Sequence, residues 1–204
     1  MTYTVHSIFK TLQGEGFHAG RSAVFCRFAG CNLWSGREKD RASAVCKFCD
    51  TEFVGGAKFP TVAALADAIA EVWGVGAAHR IVVFTGGEPG LQLDRELIDA
   101  LQLRSFASHV ETNGTIELPS VRWITLSPKA GAPLRQLEAN ELKIAWPQQL
   151  DLEALYHRIG AAFSYLQPID GPELKANTAA CIDYVQGHPW WRLSTQTHKF
   201  IGVP

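Results

Sequence analysis

Short apolar runs that end at glycine- or proline-bearing loops recur along this chain, and that punctuation limits the folds open to it. The run Arg80-Ile81-Val82-Val83-Phe84-Thr85 is too short for a helix and lacks polar alternation, the pattern of a parallel strand buried on both faces. Ser22–Phe28, Ser108–Thr112, Val121–Leu126 and Phe163–Gln167 read as further strands, and the alternating stretch ahead of Gln13 as the first. Between them lie helical segments. Thr61–Trp73 has Pro60 before it, Thr61 as N-cap and Gly74 after it; Leu91–Leu103 follows; Asp151–Arg158 stops at Gly160. Pro172 suits the first turn of a helix reaching Val185. Arg192–Ile201 reads as a final alternating strand. Repeated strand–helix units predict a parallel sheet with right-handed crossovers. A full eight-unit barrel needs about 250 residues, and the chain has 204. The expected fold is therefore α/β, an incomplete TIM-like β/α barrel in one domain over residues 1–204.

Composition narrows the setting. Hydrophobic residues at 47% and charged residues at 19% specify a packed core rather than disorder. A net charge of −1 requires no basic face, so nucleic acid is not an expected partner. Met1–Phe9 lacks the basic start and apolar core of a secretory signal, and no apolar run is long enough to span a bilayer. A soluble, cytoplasmic chain without membrane contact is expected.

Polar and glycine-rich residues gather where the apolar strands end: Thr85-Gly86-Gly87-Glu88-Pro89, Glu111-Thr112-Asn113-Gly114, Ser127-Pro128-Lys129 and Gln167-Pro168-Ile169-Asp170. Those C-terminal strand ends are where parallel α/β sheets bind ligands.

Four of the five cysteines, Cys26, Cys31, Cys46 and Cys49, crowd into one stretch, and Cys181 stands alone. Crowding of this kind in a reducing compartment points to metal or catalysis rather than disulfides. Cys31, Cys46 and Cys49 have the spacing C-x14-C-x2-C. Three thiolates can hold three irons of a 4Fe–4S cubane and leave the fourth open to an outside ligand, whereas electron-transfer clusters usually take four cysteines. From spacing alone a zinc site built on all four cysteines stays open. Cys26 alternates with Val24 and Phe28, a core pattern, and Cys181 beside Ala179 and Ala180 reads as packing. The seven histidines show no paired metal-ligand spacing.

Gly30-Cys31-Asn32-Leu33, Cys46-Lys47-Phe48-Cys49-Asp50-Thr51 and Thr85-Gly86-Gly87-Glu88-Pro89 together resemble the radical S-adenosylmethionine enzymes. Gln13-Gly14-Glu15-Gly16, Phe25-Cys26-Arg27, Ser127-Pro128-Lys129 and Leu193–Pro204 are similar to segments of the 7-carboxy-7-deazaguanine synthases of queuosine precursor biosynthesis. The resemblance covers about Thr11 to Pro204. One departure is the spacing: the wider superfamily mostly has C-x3-C-x2-C, and one clade of this synthase carries a longer insertion. Here the insert Asn32–Val45 is rich in charge, with Arg37, Glu38, Lys39, Asp40 and Arg41. It reads as a solvated loop, with a docking surface for a flavodoxin-like reductant as the other reading.

The resemblance implies a lyase that converts 6-carboxy-5,6,7,8-tetrahydropterin to 7-carboxy-7-deazaguanine with loss of ammonia. It implies a 4Fe–4S cluster on Cys31, Cys46 and Cys49 in a loop of about residues 30–56, S-adenosylmethionine as cofactor, Mg2+ on Thr51, and a homodimer. Phe48, Gly86, Gly87, Glu88, Glu111, Asn113, Ser127, Pro128, Lys129 and Gln167 would hold S-adenosylmethionine, with Glu88 accepting from its amine and the two glycines allowing close approach. Gln13, Gly14, Glu15, Arg27, Thr85 and the terminal carboxylate of Pro204 would hold the pterin. Arg27 also has a reading of its own. It lies on the strand face opposite Cys26, and an arginine in an apolar strand needs an anion, either a ligand carboxylate or an internal Asp or Glu. A protein-activating radical enzyme and a zinc-stabilised binding module are the competing functions.

Overall fold

The strands, in chain order, are β1 (Tyr3–Leu12), β2 (Ser22–Phe28), β3 (Ala57–Phe59), β4 (Arg80–Gly86), β5 (Phe106–Thr112), β6 (Trp123–Leu126), β7 (Glu141–Trp146), β8 (Phe163–Pro168) and β9 (Arg192–Leu193). The helices are α1 (Val62–Trp73), α2 (Arg95–Gln102), α3 (Leu152–Ile159), α4 (Leu174–Gly187) and α5 (Thr197–Ile201). The structure is a computed structural model that describes residues 2–76 and 78–204; Met1, the head of the alternating N-terminal stretch, lies outside them. One sheet runs in the order β3-β1-β2-β4-β5-β6-β7-β8-β9. From β2 to β9 every pairing is parallel, while β1 pairs antiparallel with β2 and with β3. β3 and β9 are its two edges, so the barrel is incomplete, as its length predicts.

Each parallel strand buries one side under helices and turns the other inward. On β2, Val24, Cys26 and Phe28 enter a core with Leu65, Ala66 and Ile69 of α1 and Leu97 and Leu101 of α2. A second core gathers Leu126, Leu142, Ile144 and Leu166 with Cys181 of α4 and Trp191. Inside the barrel, Ala23, Ile81 and Val83 form an apolar floor with Phe25. Cys26 and Cys181 are fully buried packing residues.

Helix ends follow their sequence signals. The Thr61 side chain accepts from the Ala64 amide at 3.1 Å, Asp151 caps α3 through Ala154, and Gly160 ends α3 at φ +59°. The expected helix from Leu91 begins only at Arg95, because Pro89–Leu91 forms a 3-10 turn and Asp94 caps α2 through the Leu97 amide. β7 and β3 carry no apolar run and were not anticipated. In β7 the alternation places Glu141, Lys143 and Ala145 inward and Leu142 and Ile144 in the core.

The C-terminal segment corrects an expectation. Only Arg192–Leu193 is strand, and the remainder turns into α5, ended by Gly202 at φ +69°. Ser194 explains the turn: its hydroxyl donates to Gln167 at 2.9 Å and accepts from the Gly16 amide at 3.0 Å, which steers the chain across the barrel mouth. The Thr61→Ala variant is expected to lose about 1 kcal/mol of stability, read as a lower urea midpoint with unchanged slope.

Candidate active site

The inward faces of the parallel strands open at their C-terminal ends into a cavity of about 290 Å³. Arg27, Thr85, Glu111, Lys143 and Gln167 reach it from β2, β4, β5, β7 and β8. The β1–β2 loop brings Gln13, Gly14 and Glu15 to it, and the loop between β2 and β3 brings Cys31, Cys46, Phe48, Cys49 and Thr51. Gly86, Gly87, Asn113, Ser127, Lys129 and Pro204 also line it. Of the residues anticipated for ligand binding, Glu88 and Pro128 alone do not.

Glu88 is fully buried and works as a brace. Its Oε1 accepts from the Thr112 hydroxyl at 2.7 Å and the Gly90 amide at 2.8 Å, and its Oε2 from the Asn113 amide at 2.8 Å. With both oxygens engaged, it ties the loop after β4 to the loop after β5. Burial raises its pKa, against the lowering effect of these donors. Gly87 has a similar structural cause. A Cβ there would stand 1.7 Å from the Gly30 carbonyl oxygen, so the missing side chain lets this loop pack on the start of the cysteine loop. Asn32 completes that junction, donating to Thr115 at 2.7 Å and accepting from Asn113 at 3.1 Å.

The three cysteines at the cavity are apart from Cys26, which lies on the opposite face of β2 inside the α1 core. Strand alternation puts it there, and this removes the four-cysteine zinc site. Among the described residues no three His, Cys, Asp or Glu are gathered around a single-ion site. A thiol–thiol hydrogen bond with Cys46 lowers the Cys49 pKa to about 6 and raises that of Cys46. The Lys129 ammonium favours the thiolate at both sulfurs. Lys129 itself donates to the Ser127 carbonyl at 2.6 Å and hydroxyl at 2.8 Å, has no carboxylate bonded to it among the described residues, and has its pKa lowered by burial. Three thiols facing one cavity, beside a cation lacking an ion-pair partner, suit a cluster with three thiolate ligands and one open iron.

Arg27 lies on the cavity side of β2. It stacks on Phe9, with 4.9 Å from its guanidinium carbon to the ring centroid, and its buried Nε has no hydrogen-bond partner. Among the described residues no carboxylate pairs with it, so a half-buried cation faces the cavity.

Glu15 is already engaged. Lys143 donates to its Oε2 and, at 3.3 Å, to Glu111, while Gln196 donates to its Oε1 at 3.1 Å. Burial opposes ionisation of Glu15, but the Lys143 ammonium outweighs it and lowers the pKa. Burial also opposes the charge on Lys143, and Glu111, Glu15 and Glu141 together raise its pKa well above the ordinary lysine range. Gln13 donates to Glu111 at 2.9 Å.

The C-terminal segment closes the mouth. Lys199 bridges Asp50, next to Cys49, and Asp170 after β8, and Gln196 donates to Asp50 at 3.2 Å. The Thr197 amide donates to the Gly14 carbonyl at 3.0 Å, and His198 lies where a Gly14 Cβ would be, 2.1 Å from its Nδ1. Pro204 is exposed rather than buried, at the rim, its oxygen accepting from Thr11 at 2.9 Å. Lys143, Gln196, His198 and Lys199 went unrecognised as site residues. Only the Glu141/Lys143 alternation could have signalled one of them, since the others arrive through the unexpected turn into α5.

Lys143→Met is expected to cost about 3–5 kcal/mol at neutral pH, because it leaves the largely buried Glu15 carboxylate without its counter-charge. The sign follows from burial. Without the ammonium, burial alone holds the folded-state pKa of Glu15 above its unfolded value, so the penalty is present above that raised pKa and is relieved as pH falls through it. Urea titrations of both proteins across the acidic range should show their gap narrowing at low pH.

No protein-family model matches the chain. Among curated proteins it is 55% identical to the 7-carboxy-7-deazaguanine synthase of Burkholderia multivorans and 54% identical to that of Caulobacter vibrioides, each over 100% of both chains. The Escherichia coli synthase is 31% identical, also over the full length of both. The fold matches the crystal structure of QueE from Escherichia coli with a TM-score of 0.74, covering 97% of this chain and 95% of that one at 28% identity. Full-length identity at this level, on a barrel whose mouth carries the cysteine loop, shows that the chain belongs to the 7-carboxy-7-deazaguanine synthase family.

Proposed function

We propose that this chain converts 6-carboxy-5,6,7,8-tetrahydropterin to 7-carboxy-7-deazaguanine with loss of ammonia, and that the cavity at the barrel mouth is where it does so. The observation that carries this reading is that three cysteines and the unpaired Arg27 guanidinium face one cavity. When bound, a 4Fe–4S cluster and S-adenosylmethionine would supply the radical that takes hydrogen from the carbon bearing the carboxylate.

The chain's own residues would do the rest. Cys31, Cys46 and Cys49 would ligate three irons, with Lys129 offsetting the negative charge beside them. Phe48, Gly86, Gly87, Asn113, Ser127 and Gln167 would hold the cofactor against the strand ends. Arg27 would take the pterin carboxylate, a charge-assisted pairing that fixes orientation. Glu15, kept ionised by Lys143, would accept from the pterin N–H edge alongside Gln13 and the Gly14 backbone, with Glu111 on the same lysine. Thr85 would touch the ring from β4, and the Pro204 carboxylate would meet it at the rim. Thr51 presents a hard oxygen that suits Mg2+ when a substrate carboxylate and waters complete the shell.

The latch of Lys199 on Asp50 and Asp170 favours a small molecule over a polypeptide substrate, since a chain would have to displace α5 to enter. A flavodoxin-like reductant, a homodimer and a cytoplasmic location complete the proposal. Among the described residues no helix is long and apolar enough to cross a membrane.

The test is an anaerobic assay of iron-reconstituted protein with reductant, S-adenosylmethionine, Mg2+ and the carboxytetrahydropterin, read by mass spectrometry. The deazaguanine product is expected. Release of 5′-deoxyadenosine without it would reject the substrate, and the absence of both from cluster-loaded protein would reject the enzyme. Cys26→Ala is expected to keep its iron, and Cys49→Ala to lose the cluster. Arg27→Gln is expected to raise KM for the pterin by roughly 10- to 100-fold, the scale of a lost charged hydrogen bond of about 1.5–3 kcal/mol, while leaving iron content unchanged.

A further inference from the structure

The insert between the first two cluster cysteines does more than fill a solvated loop. Within it, Glu38–Ser43 forms a 3-10 turn that carries Arg41. The Arg41 Nη1 donates to the Lys47 carbonyl at 3.0 Å and to the Cys49 carbonyl at 3.1 Å. Its Nε donates to both oxygens of Glu38, at 2.9 and 2.8 Å. Its guanidinium carbon lies 4.0 Å from the Trp34 ring centroid. Trp34 is itself anchored, edge-on to Phe53 at 5.6 Å and donating from Nε1 to the Arg37 carbonyl at 3.2 Å. The Arg41 side chain is 27% exposed and Glu38 79%, and the bond to the Cys49 carbonyl is the part-buried one.

The other insert charges behave differently. Among the described residues the side chains of Arg37 and Lys39 make no hydrogen bond, and the Asp40 carboxylate accepts from Ser35 within the insert. Arg41 is thus the insert charge that reaches back to the Cys46–Cys49 segment, and it touches backbone on both sides of Phe48.

We propose that Arg41 is a positioning residue: its guanidinium holds the Cys46–Cys49 turn in the shape that keeps both thiols toward the cavity. The proposal rests on the reading that Cys31, Cys46 and Cys49 hold the cluster. The physical need is plain. A longer spacer makes bringing the Cys46–Cys49 pair to Cys31 more costly in entropy, and a fixed contact inside the loop restrains it before metal arrives. The chemistry suits arginine alone, because a planar fork can serve two carbonyls and a carboxylate while stacked on a ring, and an ammonium cannot.

The experiment compares wild type, Arg41→Gln, Arg41→Lys and the control Lys39→Ala, with circular dichroism to establish folding. In metal-free reduced protein, the maleimide labelling rate of each cysteine is followed by peptide mass spectrometry. In reconstituted protein, iron loss to a ferrous chelator is followed by absorbance. Arg41→Gln is expected to label Cys46 and Cys49 faster, and to release iron faster, by roughly ten-fold, the scale of one lost charged hydrogen bond. Arg41→Lys should fall between, and Lys39→Ala should match wild type. Labelling and iron loss in Arg41→Gln equal to wild type would overturn the proposal, as would faster labelling that extends to the buried Cys26 and Cys181. Wild type that takes up no iron would instead overturn the cluster reading, and the labelling rates would still decide what Arg41 holds.

Discussion

The Lys143 ammonium stands inside the barrel with Glu15 and Glu111 bonded to it and Glu141 nearby. A buried charge of this kind is tolerable only with close partners, and the partners come from separate parts of the chain. Lys143 belongs to β7, Glu111 to β5 and Glu15 to the β1–β2 loop. The pairing therefore fixes the spacing across an open sheet that has no closing strand pair. Gln196 extends it to the C-terminal segment through the second oxygen of Glu15. Glu141 secures the same β1–β2 loop from below by accepting from the Phe17 amide at 2.9 Å.

On the cysteine side the restraint is hydrogen bonding rather than charge. Glu88 joins the loops after β4 and β5, and Asn32, the residue after Cys31, bonds to Asn113 in the second of these. Arg41 and the Lys199–Asp50 pair hold the far end, around Cys49. The cavity thus has one wall set by a buried ion cluster and another set by backbone contacts. Among the described residues that line the cavity, Arg27 and Lys129 are the Arg and Lys side chains without a carboxylate bonded to them.

Much of this was legible. Thr61, Asp151 and Gly160 announced helix ends because caps act within four residues, and Arg80–Thr85 announced a buried strand because its whole run is apolar. The period-two alternation of Cys26 and Arg27 separated core from cavity before any fold was known. The bracing role of Glu88 was not legible, since the sequence does not say that Thr112, Asn113 and Gly90 converge on its two oxygens. The end of the chain was misread because alternation over Arg192–Ile201 looks like a strand whether or not a neighbour exists to pair with it. At the open edge only two residues of it find one.

What the sequence determined by itself was what short-range chemistry encodes: most of the strand–helix alternation, the opposite faces taken by Cys26 and Arg27, and three cysteines spaced for a loop. Tertiary structure decided which distant groups meet. Lys143 between Glu15 and Glu111, Lys199 between Asp50 and Asp170, and Arg41 on the cysteine loop are matched by position and not by any local pattern. Their pairing follows from desolvation, which makes a charge costly wherever the fold buries it and so requires the fold to bring its partner.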